Sequence, residues 1–345
     1  MRADRDTVSR PISIRGDGIT ACCCARLLRT SGFKVAVSNA PRPRMAAILV
    51  GDRSQALLND VFGDTDLFRG MAAVRKRIVL WGMQSKPVIL PHSAAVVPES
   101  AILQRMWSTV PPGPDEVSEA DNWTIVASPP LPSDTFTCDF GSRTAFTNTV
   151  DLAPRAESEA CWIESLENGW LFLLNVGNGR GSLISVGEAP ESLLANSRLV
   201  GERVSGLGDA TGRFSAHPRI LSRLCGEKWL ACGPAAVGFD PLCGDGTGNA
   251  VREAILACAA IRGIFRGFDA ADVLAHYSFR LNAGFLRHLE LCRNFYLEAR
   301  SGAWWEAEIA RLDAGIASIR KQIADTAGPP RYRLDNFDLQ QIIPA

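Results

Sequence analysis

Apolar and polar positions follow two periods along this chain, and the change between them divides it. Near the start, Ile12-Ser-Ile-Arg15 reads as a short strand, Cys22 to Thr30 as a helix of small residues, and Lys34-Val-Ala-Val-Ser38 as a second strand. Next come an apolar strand from Ala46 to Val50, a helix-like run from Gln55 to Phe62, and strand candidates at Arg77 to Trp81 and Pro87 to Leu90. Glu99 to Trp107 has helical spacing, with Ile102, Leu103, Met106 and Trp107 on one side. Trp123 to Ala127 reads as a buried strand closed by Ser-Pro-Pro. From Thr135 to about Gly208 the pattern turns to short alternating strands: Phe136 to Phe140, Thr144 to Asp151, Ala160 to Glu164, Gly169 to Asn175 and Gly181 to Val186. Alternation of that kind suits an antiparallel sheet with one wet face. Ala189 to Ser197 and Leu199 to Leu207 are predicted as short helices. A strand then returns at Trp229 to Cys232, a helix starts near Thr247, and the chain from Ala270 onward is helical apart from a polar tail. No internal repeat is visible.

Two turns carry the candidate chemistry, and both are rich in glycine. The first strand runs into Gly16-Asp-Gly-Ile-Thr-Ala21 and then a helix, which is the order required of a dinucleotide fingerprint. Gly16 makes the tight turn, Gly18 admits a pyrophosphate, and Ala21 keeps helix and strand close. The second turn, Gly233 to Asn249 (GPAAVGFDPLCGDGTGN), joins another apolar strand to another helix. Without Cβ atoms at Gly244, Gly246 and Gly248, a flat ligand can lie against the backbone, and the N–H groups of the helix start point at negative charge. That suits the pyrimidine edge of a reduced flavin.

Composition narrows the classes. The 345 residues, 46% of them hydrophobic, are enough for a large core. Lys plus Arg and Asp plus Glu are 37 each, so no net field attracts nucleic acid. The polar opening MRADRDTVSRP is unlike a signal peptide and no apolar run spans a bilayer, so the expected location is the cytoplasm. The ten cysteines include no Cys-x-x-Cys pair and read as small buried thiols in a reducing compartment, with Cys243, inside the second glycine turn, set apart.

With the fingerprint, the mid-chain antiparallel run, the Asp240-Pro241 turn with Gly244, Gly246, Gly248 and Asn249, and the helical segment Tyr277 to Trp305 in that order, the chain resembles the FAD-dependent monooxygenases of the para-hydroxybenzoate hydroxylase fold. The resemblance is closest to their tryptophan-halogenase-like branch, which includes the flavoproteins that mature protein-derived quinone cofactors. It implies an α/β chain with a Rossmann-like FAD-binding domain and parallel sheet, an inserted antiparallel substrate domain, and C-terminal helices. The expected boundaries are 1–134 for the first part of the FAD-binding domain (with an excursion into the substrate domain at about 63–92), 135–224 for the substrate domain, 225–265 for the second FAD-binding part, and 266–345 for the helical region. FAD would be held by Gly16, Gly18, Ala21, Ser38, Arg42, Glu99, Asp240, Pro241, Gly244, Gly246, Thr247, Gly248 and Asn249, with Val97-Pro98-Glu99 on the adenosine side.

Two positions depart from that family's pattern. Ser38-Asn39 stands where an acidic residue usually meets the ribose. Gly233-Pro234 stands where Gly-Asp usually serves the ribityl chain, and proline offers neither a side-chain acceptor nor an N–H.

The implied activity is hydroxylation of an aromatic or protein-bound substrate through a flavin hydroperoxide, with electrons from NAD(P)H or a separate flavin reductase, since no second nucleotide fingerprint is present. Halogenation loses support because Gly169-Trp-Leu-Phe-Leu-Leu-Asn175 replaces the second Trp and the Pro of the halogenase stretch, and neither Lys76 nor Lys86 has a relay context. A degenerate binding protein without redox chemistry and a flavin-dependent reductase stay open. His217, in Phe-Ser-Ala-His-Pro218, is the candidate side chain for orienting or deprotonating a substrate. His92, His217, His276 and His288 show no metal-ligand spacing, so no metal is expected. The aromatic residues Phe295, Tyr296, Trp304 and Trp305 read as core, and Arg280, Arg287, Arg293 and Arg300 as a solvated helix face.

Overall fold

The computed structural model describes residues 11–40, 44–114, 122–299, 302–326 and 331–342. In chain order the first third contains β1 (Pro11–Arg15), α1 (Ile19–Thr30), β2 (Lys34–Ser38), β3 (Ile48–Gly51), α2 (Asp52–Phe62), β4 (Ala72–Leu80), β5 (Val88–Val97), α3 (Glu99–Thr109) and β6 (Trp123–Val126). The middle contains β7 (Thr137–Asp139), β8 (Thr144–Leu152), β9 (Ala160–Leu166), β10 (Gly169–Gly177), β11 (Arg180–Gly187), α4 (Pro190–Ala195) and β12 (Val204–Ser215). The remainder is β13 (Arg219–Leu221), β14 (Cys225–Gly226), β15 (Trp229–Ala231), β16 (Val237–Gly238), α5 (Gly246–Phe265), α6 (Ala270–Leu297), α7 (Ala303–Thr326), β17 (Tyr332–Asp335) and β18 (Asp338–Gln341).

A five-stranded sheet, β14-β15-β6-β1-β2, organises the nucleotide-like part. β1 runs parallel to β2 and β6, and β15 runs parallel to β6. The carboxyl ends of β1 and β15 therefore flank that of β6, and the two glycine turns leave from the same edge of the sheet. In open parallel sheets that edge is where ligands bind. α1 and α5 lie together because their facing surfaces are small: Cys24 Sγ is 3.9 Å from the Ala254 carbonyl and Cys258 Sγ 3.8 Å from the Cys24 carbonyl. Ala21 through Ala25 and Ala257 through Ala260 are fully buried or nearly so.

The larger sheet has eight strands in the order β12-β8-β11-β10-β9-β4-β5-β3. Its members pair antiparallel except β4 and β9, which run parallel. β9 and β10 are buried on both faces, Trp162 packing with Leu171 and Leu173 on one side and Trp170 with Ile163 and Ile184 on the other. The architecture is thus mixed α/β, with a parallel-stranded sheet, a mainly antiparallel second sheet and C-terminal helices.

Three local readings are corrected. Leu199 to Leu207 is not a helix: a single 3-10 turn at Gly201–Arg203 leads directly into β12. β12 pairs with β8 at the edge of the sheet, with several register shifts, and its glycines lower its apolar signal. β5 extends to Val97 rather than stopping at Leu90, because Ala94 to Val97 pair with β3. The polar tail contains the hairpin β17–β18, turned by Asn336 and Phe337 at positive φ and anchored by buried Tyr332 and Leu339. Arg262 Nε holds Asp338 at 2.7 Å beneath that hairpin. No helix among the described residues is long and apolar enough to cross a membrane.

Candidate functional site

Gly16 closes the β1 turn at φ +128, donating its N–H to the Ser38 carbonyl at 2.8 Å. A Cβ there would stand 3.0 Å from Ser128 Oγ and 3.3 Å from Ala127 Cβ, so only glycine fits. Gly18 is the N-cap of α1 without a side-chain cap, which leaves the first-turn N–H groups, Ala21's among them, facing the sheet edge. Around this point Thr20 Oγ1, Ser128 Oγ and Asp17 Oδ1 are buried with no hydrogen-bond partner among the described residues. The orphaned hydroxyls of Thr20 and Ser128, converging on a helix start, are what a polar, anionic ligand requires, whereas the Asp17 carboxylate only accepts and is offset by Arg44.

Beyond the turn lies a cavity of about 440 Å³, lined by Asp17, Val37, Asn39, Arg44, Gln104 and Trp107 among others. Arg44 forms an ion pair with Asp17, and Trp107 Nε1 donates to the Asp17 carbonyl at 3.1 Å. Sequence reasoning missed Arg44, Asp17 and Trp107. It also placed Ser38 and Glu99 here, but Asn39 and Ser100 line the cavity instead. Ser38 Oγ is turned to the Ile14 carbonyl at 3.4 Å, and Glu99 accepts the Met45 N–H at 2.7 Å. Arg42 lies outside the described residues.

The second turn is built from the interior outward. Asp240 is fully buried and accepts from the Leu242 N–H at 2.8 Å and from the Tyr296 hydroxyl at 2.9 Å, with Arg143 Nε 3.2 Å away. Arg143 also meets Glu308 Oε2 at 2.7 Å. Burial raises the Asp240 pKa and the Arg143 charge opposes that shift. Asp240 is therefore the anchor of the turn, and its carboxylate faces the protein rather than a ligand. Pro241 opens a 3-10 turn that ends at Gly244 with φ +66, and α5 starts at Gly246. Gly244 and Gly246 are exposed, and nothing lies within 4 Å of a Cβ built at Gly246.

Two features near the helix start add charge. Asp245 takes a hydrogen bond from Ser54 Oγ at 2.8 Å and an ion pair from Arg252, which also reaches Asn249 Oδ1 at 3.1 Å. These contacts fold the side chains against buried Gly248, leaving Thr247 half-exposed beside it. On β4, Arg77 Nη2 lies 3.6 Å from where a Cβ on Gly244 would stand and 3.4 Å from His92 Nε2, and its Nε has no partner among the described residues. Burial and the Arg77 charge lower the His92 pKa, so His92 is a neutral acceptor beside the turn.

Gly233, at φ +60, gives its N–H to the buried Glu253 at 2.8 Å. Burial pushes the Glu253 carboxyl up to about 8. The Pro234 carbonyl accepts from Arg219 at 3.1 Å, so this short turn is occupied by internal bonds.

His217 lies at the exit of β12. Its Nε2 is 2.9 Å from Asp139 Oδ1 and its Nδ1 is 3.3 Å from the Arg143 carbonyl. Both ring nitrogens thus face the protein's own oxygens. His288, by contrast, sits beneath the second turn, where its Nε2 accepts the Asp240 N–H at 2.8 Å. Burial and then Arg143 hold its pKa at about 3, so the ring is neutral. The fold brings one donor atom each of Cys243, His288 and Cys292 within 4.8 Å of one another, a grouping that sequence spacing did not reveal. The i, i+4 relation of His288 and Cys292 on α6 was its only trace in the chain.

No protein-family model matches the chain. No curated protein matches it either. Among solved structures, it is similar to the peptidyl tryptophan dihydroxylase QhpG, essential for tryptophylquinone cofactor biogenesis, with TM-score 0.69 and 20% identity over 87% of this chain and 79% of that one. It is similar to the flavin-dependent halogenase CmlS with TM-score 0.77 and 14% identity over 96% and 84%. It is similar to Klebsiella pneumoniae HpxO, solved with FAD and uric acid, with TM-score 0.64 and 17% identity over 92% and 96%. The chain therefore has the fold shared by a peptidyl tryptophan dihydroxylase, a flavin-dependent halogenase and an FAD-binding protein.

Proposed function

We propose that this protein is an FAD-dependent monooxygenase that hydroxylates an aromatic or peptide-bound substrate. The observation that carries the reading is the pairing of two glycine-rich turns on one sheet edge, with the unpartnered hydroxyls of Thr20 and Ser128 at the first. The fold likeness supports it.

FAD, when bound, supplies reduced flavin that activates dioxygen for insertion of one oxygen atom. The chain's own residues do the rest. Gly16 and Gly18 let a pyrophosphate reach the start of α1, where the hydroxyls of Thr20 and Ser128 complete its donors. The cavity beside Asn39, Gln104 and Trp107 receives the adenosine end. Arg77 and the start of α5 place positive potential at the exposed backbone of Gly244 and Gly246, which would hold the polar edge of a flavin ring. Asp240, held by Arg143, Tyr296 and His288, keeps that backbone in place. Electrons come from NAD(P)H or a separate flavin reductase, and His217 is held between Asp139 and the Arg143 carbonyl.

A second reading is favoured by Asp17 and Pro234. Asp17 puts a carboxylate beside the pyrophosphate position, offset by Arg44, and Pro234 removes a ribityl anchor. A degenerate binder that performs no redox step would show both. The discriminating experiment is a titration of purified protein with FAD followed by reduction under air. Saturable binding with substrate-stimulated oxygen consumption supports the monooxygenase, whereas absence of binding at micromolar FAD supports the second reading.

A further inference from the structure

We infer that Cys243 and Cys292 form a redox-active dithiol that exchanges with disulfides, with Cys243 as the attacking thiol and Cys292 as the resolving one. The inference rests on the thiols alone and stands whether or not the protein binds flavin.

Cys243 Sγ lies 3.2 Å from Cys292 Sγ, closer than an ordinary sulfur contact and about 1.2 Å from bonding distance. Their exposure is unequal. Cys243 ends the half-exposed 3-10 turn, while Cys292 is buried near the C-terminal end of α6. A reactant arriving from solvent therefore meets Cys243 first, and Cys292 is reached only through it. The small remaining movement falls on the turn, where Gly244 is in the left-handed region and a Gly246 side chain would have open space.

The same neighbourhood explains why a metal is the weaker occupant. Two thiols and a neutral imidazole are a soft donor set. However, the one lone pair of His288 Nε2 already accepts the Asp240 N–H at 2.8 Å, with Cys292 Sγ another 3.3 Å away. Binding a metal there would free a buried N–H at the base of the turn, whereas closing a disulfide leaves that bond intact.

The exchange balances without any other group. The Cys243 thiolate attacks a small disulfide RSSR, breaking its S–S bond, forming a mixed disulfide and releasing one thiol. Cys292 then attacks Cys243 Sγ, forms the internal S–S bond and expels the second thiol. The protein is oxidised by two electrons, RSSR is reduced to two RSH, and the two cysteine protons leave on those products. The product ties the turn to α6 across 49 residues.

The test uses the reduced full-length chain equilibrated with mixtures of reduced and oxidised glutathione, alkylated, and mapped by peptide mass. Two thiols per molecule should become protected, recovered as one linked pair of peptides containing Cys243 and Cys292, and the oxidised protein should melt at a higher temperature. Cys292→Ser, with Cys292→Ala as a second form, should trap glutathione on Cys243. Cys243→Ser, which leaves Cys292 buried, should take up no glutathione at Cys292 and should show no melting shift. Full alkylation of both wild-type thiols at the highest oxidised fraction would overturn the inference. So would glutathione on Cys292 in Cys243→Ser, or stoichiometric zinc or copper in the purified protein that protects both thiols.

Discussion

The Tyr296 hydroxyl donates to Asp240 Oδ2 at 2.9 Å, while the Arg143 guanidinium carbon sits 4.6 Å from the centroid of the same tyrosine ring. Asp240 thus meets a donor and a cation that are themselves stacked, all fully buried, directly under the second glycine turn. Tyr296→Phe removes a donor to Asp240 and an acceptor for Trp170 Nε1, and should cost about 1–3 kcal/mol in urea unfolding. Arg143→Met is expected to cost about 3–5 kcal/mol, because it strands the buried Asp240 carboxylate without a counter-charge and leaves Glu308 only the half-exposed Arg311. Equal and small losses for both variants would contradict the anchoring role.

Gly16→Val tests the first turn. The residue is at φ +128 and any Cβ meets Ser128, so the turn has to shift from the mouth of α1. FAD affinity, read by fluorescence quenching, should fall by roughly tenfold or more while the fold survives by circular dichroism. Unchanged affinity would separate this turn from the cofactor.

Glu253 makes stability depend on pH. Its folded pKa is raised from 4.5 to about 8, so the folded protein keeps a proton that the unfolded chain releases. The resulting stabilisation is complete below about pH 4.5 and is lost, by about 1.4 kcal/mol per pH unit, as the pH rises toward 8. Glu253→Gln retains an acceptor for the Gly233 N–H without titrating. Its stability relative to wild type should therefore improve steadily between pH 5 and 8 in urea unfolding, and parallel curves would refute the assignment.

The parts of the molecule readable in the sequence were those whose signal is local. The β1-α1-β2 unit announces itself through Gly16, Gly18 and a run of small residues, and β6 through Trp123-Thr-Ile-Val. β12 was misread because Gly206, Gly208 and Gly212 dilute the alternation of an edge strand whose burial comes from pairing with β8. The hairpin near the end was hidden because its turn is made by Asn336 and Phe337 rather than glycine. At the site, the second turn was legible but its supports were not. Arg143, Tyr296 and His288 reach Asp240 across 48 to 97 positions of sequence, Glu308 reaches Arg143 across 165, and only the packing of α6 and α7 against that part of the chain brings them together. Arg44 and Arg77 carry no local sequence signal, and only the fold sets them beside the turns.

Pro234→Asp would restore a carboxylate at the departure from the family pattern. Proline's φ lies in a range that aspartate adopts, and the Pro234 carbonyl bond to Arg219 needs no proline. FAD affinity should tighten, by no more than roughly tenfold, because the unpartnered hydroxyls of Thr20 and Ser128 already serve the site. A far larger gain from an undetectable wild-type level would favour the degenerate reading.

The most direct measurement is equilibrium dialysis of the purified, full-length protein against FAD, with the bound fraction read from its visible absorption. One FAD per chain, retained at micromolar free concentration and lost in Gly16→Val, is the result predicted here. Wild-type protein that stays colourless at those concentrations would contradict the claim that the two turns hold a single flavin.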